Sequence, residues 1–231
     1  MIGADTSVGK TSVAAFMYLE QERLGYRPGY ISCEDGAPVL GPRFLSSLSG
    51  VSSARAFRGA YSKEDMTRLG AAVEAAEQRN GFVRFLVGGN EDQVCRAIRD
   101  LVVTNKCDVI YVDYAQTIGG TGSPHEQRRE TVRRIASRTK AEACRLGVPL
   151  VMLSQIARQK DERAEPGKHS LKESGDLENM AELVFMLWRK SIDASDPFYH
   201  RICMRVAKSK FGGDGTLAEF TRDPVGRLIE S

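Results

Sequence analysis

The octet Ala4-Asp5-Thr6-Ser7-Val8-Gly9-Lys10-Thr11 limits what this chain can fold into more than any other feature. It follows the phosphate-loop pattern G-x-x-x-x-G-K-[ST] at every position but the first, where alanine replaces glycine. In such a loop the backbone N–H groups converge on phosphate oxygens at a helix N-terminus, so a strand must lead in and a helix must lead out. Gly9 leaves room for close approach. Lys10 is expected to reach the β and γ oxygens and Thr11 to ligate Mg²⁺, with Asp5, Thr6, Ser7, Val8, Gly9 and Ser12 completing the nucleotide-binding run.

The rest of the chain alternates in the way that strand–loop–helix unit requires. Lys10 to Leu24 reads as a helix and Tyr30 to Ser32 as a short buried strand. Lys63 to Arg79 is a helix with Ser62 and Asp65 placed for a capping box. Phe82 to Val87 is a strand, Asn90 with Gln93 opens a capped helix to about Thr104, and Asp108 to Val112 is an apolar strand. A basic helix from Pro124 to Arg145 stops at Gly147, and Val148 to Ser154 forms the next strand. Strands and helices in this order call for a parallel sheet covered on both faces. After residue 182 the pattern changes to strands without intervening helices, at Leu183 to Trp188, Arg201 to Ala207, Thr216 to Thr221 and Arg227 to Ile229. An antiparallel extension of the sheet fits them. The fold class is therefore α/β, a mostly parallel sheet flanked by helices with an antiparallel C-terminal extension, and residues 1–231 read as one domain.

Two stretches, Gly119 to Ser123 and Ala157 to Ser170, carry no element of their own and follow strands, where open α/β sheets meet their ligands. The chain begins only a few residues before the phosphate loop, so further sequence upstream of the first strand is expected.

Composition excludes several classes. Hydrophobic residues make up 42% and charged residues 27%, close to soluble globular averages. The longest apolar runs fall far below the ~18 residues of a membrane span, and no secretory leader pattern is present, so the expectation is a cytoplasmic or nucleoid-associated protein with no membrane partner. Five cysteines lack any C-x-x-C pairing, and the three histidines share no ligand spacing, so neither a disulfide framework nor a zinc site is supported. Net charge is only +3, yet Arg128, Arg129, Arg133, Arg134, Arg138, Lys140 and Arg145 crowd one stretch against Glu126, Glu130 and Glu142. A solvated helix face with pairs such as Glu130 to Arg134 accounts for that excess as readily as a polyanionic partner does.

Three further residues complete a catalytic set. Asp113, after the apolar run Val109-Ile110-Tyr111-Val112, is the acid expected to hold the metal's water shell. Glu34, at the end of the Tyr30 to Cys33 strand, stands where a water-orienting base would lie. Gln155, ending Leu150-Val151-Met152-Leu153-Ser154, could hydrogen-bond a γ-phosphate and report its loss to the loop that follows.

Together these segments resemble the RecA-like ATPase domain of DnaB-type replicative DNA helicases. The likeness runs through Ala4 to Thr11, Ile31-Ser32-Cys33-Glu34, Val112-Asp113-Tyr114-Ala115-Gln116, Ile135-Ala136-Ser137-Arg138 and Gly147 to Gln155. Its most specific piece is Leu171-Lys172-Glu173-Ser174-Gly175-Asp176-Leu177-Glu178.

The resemblance implies an ATP-driven motor on single-stranded DNA, working as a hexameric ring in replication, with Mg²⁺ and ATP, and with primase or a helicase loader as possible partners. It makes Glu34 the catalytic base, Gln155 the phosphate sensor, and the two irregular stretches DNA-facing loops. Lys172, Glu173 and Gly175 match the segment that grips the strand backbone, and Arg128 and Arg129 gain a partner for their charge.

The family places a lysine and then an arginine finger on a late strand, acting on the neighbour's ATP. Here the run is Lys208-Ser209-Lys210-Phe211-Gly212, with lysine in place of the forked guanidinium. No long aromatic segment for base stacking is evident, so binding would rest on backbone charge. Two other readings compete: a RadA- or KaiC-like ATPase of the RecA family, and a nucleotide-gated interaction subunit without turnover. The joint presence of Lys10, Glu34, Asp113 and Gln155 argues against the second.

Overall fold

The computed structural model describes residues 1–52, 55, 58, 60–119, 128–156, 165–166, 175–191, 193, 195–196, 198–223 and 227–230. Strand β1 (Ile2–Ala4) enters the phosphate loop and α1 (Lys10–Arg23) leaves it. Then come β2 (Pro28–Ser32), α2 (Ala37–Ser49), α3 (Lys63–Glu77), β3 (Phe82–Phe85), α4 (Glu91–Val103) and β4 (Val109–Asp113). A short 3₁₀ turn (Ala115–Thr117), α5 (Arg128–Arg145), β5 (Leu150–Gln155), α6 (Gly175–Met180), β6 (Leu183–Arg189), β7 (Arg201–Ser209), β8 (Leu217–Arg222) and β9 (Leu228–Glu230) complete the described elements.

The strands form one sheet in the order β3-β2-β4-β5-β1-β6-β7-β8-β9. All pairings from β3 to β6 are parallel, and β6 to β9 are antiparallel. The first of the late strands is thus not purely part of the antiparallel extension: β6 lies parallel to β1 on one side and antiparallel to β7 on the other. Strand β1 sits at the centre with a neighbour on each edge, Gly3 opposite Ser154 and Met186, and all its residues buried.

Alternation along β2 and β4 sends side chains to two cores. Tyr30 and Tyr111 face α1 and α2 in a cluster with Val13, Ala14, Tyr18 and Leu40. Ile31, Ile110 and Val112 face α4 and α5, meeting Val94, Ile98, Leu101 and Ile135. Helix α3 starts with the expected capping box between Ser62 and Asp65, and α4 with one between Asn90 and Gln93, each satisfying two backbone donors that a helix start leaves over.

Helix α2 departs from the sequence pattern. Pro38 suits a first turn, but Gly41, Pro42 and a serine-rich end give the segment the local chemistry of a turn. It forms because Leu40 and Phe44 dock on the tyrosine cluster, where the Phe44 ring meets Tyr18 and Tyr30 edge-on at 5.2 and 5.8 Å.

The basic helix also differs from expectation. Arg134 and Arg138 both reach across the helix interface to the buried carboxylate of Glu91 at the start of α4, and Arg138 also reaches Asp92 at 2.7 Å. Lys140 donates to the Met180 carbonyl at 2.7 Å, so part of the helix's charge is spent holding α4, α5 and α6 together. No helix among the described residues is long and apolar enough to cross a membrane.

Candidate nucleotide site and the residues around it

The carboxyl ends of β1, β2, β4 and β5 meet at one edge of the sheet, and the parallel order brings the sequence-predicted residues there together. The phosphate loop turns through Ser7 at φ 62° and Gly9 at φ 123°. Gly9 is required because an L side chain is strained at that φ; a Cβ would in addition press on the ends of the Ile202 and Arg222 side chains, at 2.8 and 3.1 Å. Asp5 Oδ1 accepts the Thr6 N–H at 2.6 Å, which stiffens the loop entrance.

Lys10 Nζ donates to the carbonyls of Ala4 and Asp5 at 3.2 and 3.3 Å and lies 5.8 Å from the centre of the Tyr114 ring. Burial pushes its pKa down, while Asp113, Glu34 and Asp5 pull it back up. Those acids are therefore the lysine's electrostatic neighbours.

Asp113 is only 2% exposed. Its Oδ2 accepts the Tyr30 hydroxyl at 2.7 Å, the Thr11 hydroxyl stands nearby, and Oδ1 is buried with no hydrogen-bond partner. Burial raises the carboxyl above its ordinary range, and the Tyr30 and Thr11 hydroxyls and the Lys10 charge oppose that. A hydroxyl beside a carboxylate with one spare oxygen is a donor set suited to a hard cation and its water shell, so these residues fit Mg²⁺.

Glu34 is exposed just beyond β2. Partial burial comes first in raising its pKa, with Asp35 and Asp113 adding to the effect and Lys10 and Arg43 opposing it. Gln155 reaches directly into the loop, its Nε2 donating to Thr6 Oγ1 at 2.8 Å.

Two arginines that the sequence pattern does not single out also grip this loop. Arg189, at the end of β6, donates to the Ser7 and Val8 carbonyls, and Arg222, at the end of β8, donates to Ser12 Oγ at 3.2 Å. Their only signal is position: each is a cation closing a strand at the same end of the sheet as the loop. A cleft of about 390 Å³ opens beside Ser12 and follows α1, lined by Phe16, Arg43, Ser46, Arg222 and Arg227 among others.

Lys208 and Lys210 are not part of this assembly. Strand β7 begins near the loop, where Ile202 approaches Gly9, and runs away from it. At ~3.3 Å per residue Lys210 stands roughly 25 Å off. There Lys208 Nζ donates to the Glu178 carbonyl at 2.6 Å, and Lys210 N–H to that of Glu182 at 2.9 Å. Of the DNA-facing residues expected from sequence, Gly175 starts α6, and Arg128 and Arg129 start α5. Lys172 and Glu173 lie outside the described residues, as do most positions of the two irregular stretches.

Residues 1–223 match the model of the DnaB-like helicase C-terminal domain. A probable plasmid replicative DNA helicase of Chlamydia trachomatis serovar L2 is 30% identical over 196 residues, covering 82% of this chain and 42% of that protein. The replicative DNA helicase DnaC of Bacillus subtilis strain 168 is 26% identical over 224 residues, covering 94% and 49%. The chain thus spans about half or less of the length of these curated relatives. Among solved structures, a DnaB-like replicative helicase studied with primase superposes with a TM-score of 0.87 at 21% identity, covering 99% of this chain and 57% of that one. A second solved structure, of an ATPase domain, gives 0.88, also at 21% identity, covering 100% and 83%. The fold is shared with both.

Proposed function

This chain belongs to the DnaB-like helicase C-terminal domain family, and from that we propose that it is the ATP-hydrolysing motor of a replicative DNA helicase, translocating on single-stranded DNA within a ring, in the cytoplasm at the nucleoid. The observation that carries the reading is the bond from Gln155 to Thr6, because it ties a strand-end amide to the loop that would hold the phosphates. A subunit that only bound nucleotide would need the loop and Asp113, not a sensor joined to it and an acid at Glu34.

In this reading the phosphate chain of ATP lies along the N–H groups of residues 5–12. Lys10 exchanges two long bonds to carbonyls for a charge-assisted bond to phosphate oxygen. Thr11 and Asp113 would hold a Mg²⁺ bound with the nucleotide, and such an ion would supply charge that offsets the phosphates. Glu34 takes the proton of the attacking water, and its raised pKa makes it a better acceptor than an ordinary glutamate.

Gln155 turns from Thr6 to the γ-phosphate, so loss of that phosphate moves the amide and the chain that follows it. Lys172, Glu173 and Gly175, with Arg128 and Arg129, contact the DNA backbone rather than bases. Lys210 stands too far from its own loop to act there, which supports a role on a neighbour's ATP in a ring. Primase or a loader would engage such a ring.

The test is the rate of ATP hydrolysis with and without single-stranded DNA, with particle mass measured in the same buffer. Turnover stimulated by DNA in a ring-sized particle is expected. Nucleotide binding without turnover would replace this reading with that of a nucleotide-gated subunit.

A further inference from the structure

Tyr30 is a fully buried side chain that touches the metal-holding acid and has no part in the chemistry described so far. We propose that it is a positioning residue: its hydroxyl occupies Asp113 Oδ2 and so leaves Oδ1 for the water shell of a nucleotide-bound Mg²⁺. The proposal rests on the nucleotide-site reading above and deepens it.

The geometry makes Tyr30 a rigid donor. The residue is 0% exposed, and its ring stacks on Tyr111 at 5.8 Å between centroids and 12° between planes, with Tyr18 and Phe44 edge-on at 6.0 and 5.8 Å. Rings packed on three sides cannot swing, so the hydroxyl stays 2.7 Å from Oδ2.

The two groups answer one another's needs. A buried phenol hydroxyl requires an acceptor, and a carboxylate at 2% exposure requires a donor. Thr11, the other hydroxyl near this carboxylate, would give its oxygen to the metal, so Tyr30 is the donor with no second duty. Removing the hydroxyl would leave Oδ2 buried and unpaired and free the carboxylate to rotate. Each consequence weakens its hold on a cation.

The neighbouring Tyr111 supplies a control. It belongs to the same stack and is equally buried, but its hydroxyl donates to Gln21 Oε1 at 2.8 Å, away from the acid.

The experiment measures binding of a fluorescent ATP analogue, first in EDTA and then across a Mg²⁺ titration. Hydrogen bonds to charged groups shift equilibria by about tenfold or more. Tyr30→Phe is therefore expected to raise the Mg²⁺ midpoint about tenfold, with affinity in EDTA changed by less than about twofold. Tyr111→Phe should leave the midpoint unmoved. In an Asp113→Asn background, Tyr30→Phe should add no further shift, because the two residues act as one unit.

An unmoved midpoint in Tyr30→Phe overturns the proposal, as does an equal shift in Tyr111→Phe or a full additional shift on top of Asp113→Asn; the last two would reduce Tyr30 to packing. Wild-type protein that binds no nucleotide in either condition is a different failure, visible before any variant is made. It removes the nucleotide-site reading and this proposal with it.

Discussion

The side-chain amide of Gln116 pairs with both backbone groups of Gln155: its Nε2 donates to the Gln155 carbonyl at 2.9 Å, and its Oε1 accepts the Gln155 N–H at 3.1 Å. On the opposite edge the β1 strand pairs Ala4 with Gln155. The residue that reaches into the phosphate loop is thus braced from both sides, and one brace comes from the turn leading to Gly119. Gln116 lies three residues before the first stretch expected to face DNA, and Gln155 two residues before the second.

Gln116→Leu keeps the volume and removes the pairing. The half-buried Gln155 N–H loses its partner, at a cost of ~1 kcal/mol, while Ser154 Oγ at 3.3 Å still serves the carbonyl, so we expect about tenfold loss of DNA-stimulated turnover with nucleotide affinity within about threefold of wild type. Stopped-flow binding and steady-state rates on one preparation check the split, and parallel losses would speak against coupling.

Lys10→Ala is expected to abolish nucleotide binding, whereas Glu34→Gln retains binding and loses turnover, since the first removes phosphate charge and the second only the base. Calorimetry with ATP separates them. Equal binding loss in both would remove the role given to Glu34.

Because burial holds the Glu34 carboxyl above its ordinary range, turnover should fall on acidification at a higher pH than an exposed glutamate would give. The base works only when ionised, so the fall follows its pKa. Arg43 opposes the upward shift and pairs with Asp35 at 2.9 Å. Arg43→Ala removes that cation, makes Glu34 harder to ionise, and should move the acid limb of kcat to higher pH at saturating nucleotide. An unmoved or lowered limb contradicts Glu34 as the base.

Much of this site was legible in order along the chain. The loop, Asp113 and Gln155 each end an apolar run, and a parallel sheet collects such ends on one edge. The capping boxes were equally readable, because their chemistry is local. What escaped was set by tertiary contact. Tyr30 reads as an apolar strand residue until its hydroxyl is seen against Asp113, and Arg189 and Arg222 read as ordinary strand ends. Helix α2, with Gly41 and Pro42, is helical only because Leu40 and Phe44 have a core to enter.

For DNA, Lys172→Ala should lower single-strand affinity for all sequences alike and flatten its dependence on salt by ~0.7 in log–log slope, the signature of one lost phosphate contact. Arg128→Ala and Arg129→Ala should act in the same direction, more weakly. Fluorescence anisotropy at several salt concentrations checks this; a loss confined to one sequence would mean base contacts instead.

Lys210, at the end of the sheet opposite the loop, should act on the neighbouring subunit. Lys210→Ala and Glu34→Gln proteins are each expected to be nearly inactive. Mixed equally in a ring of head-to-tail contacts, random assembly sets a working base against a working lysine at about a quarter of interfaces. Activity should reappear in mixtures shown by mass to contain both. Mixed rings no more active than the average of the parents would end the shared-site reading for Lys210.

The grip of Arg189 on Ser7 and Val8 joins positions about 180 apart in the chain, and β1 lies between β5 and β6, both made late. During synthesis at ~5–20 residues per second the first strand therefore waits on the order of ten seconds or more for either neighbour. The phosphate loop is thus made well before the strands and the arginine that shape it. A release of the chain before Arg189 would yield a fragment bearing the whole loop sequence and no formed loop.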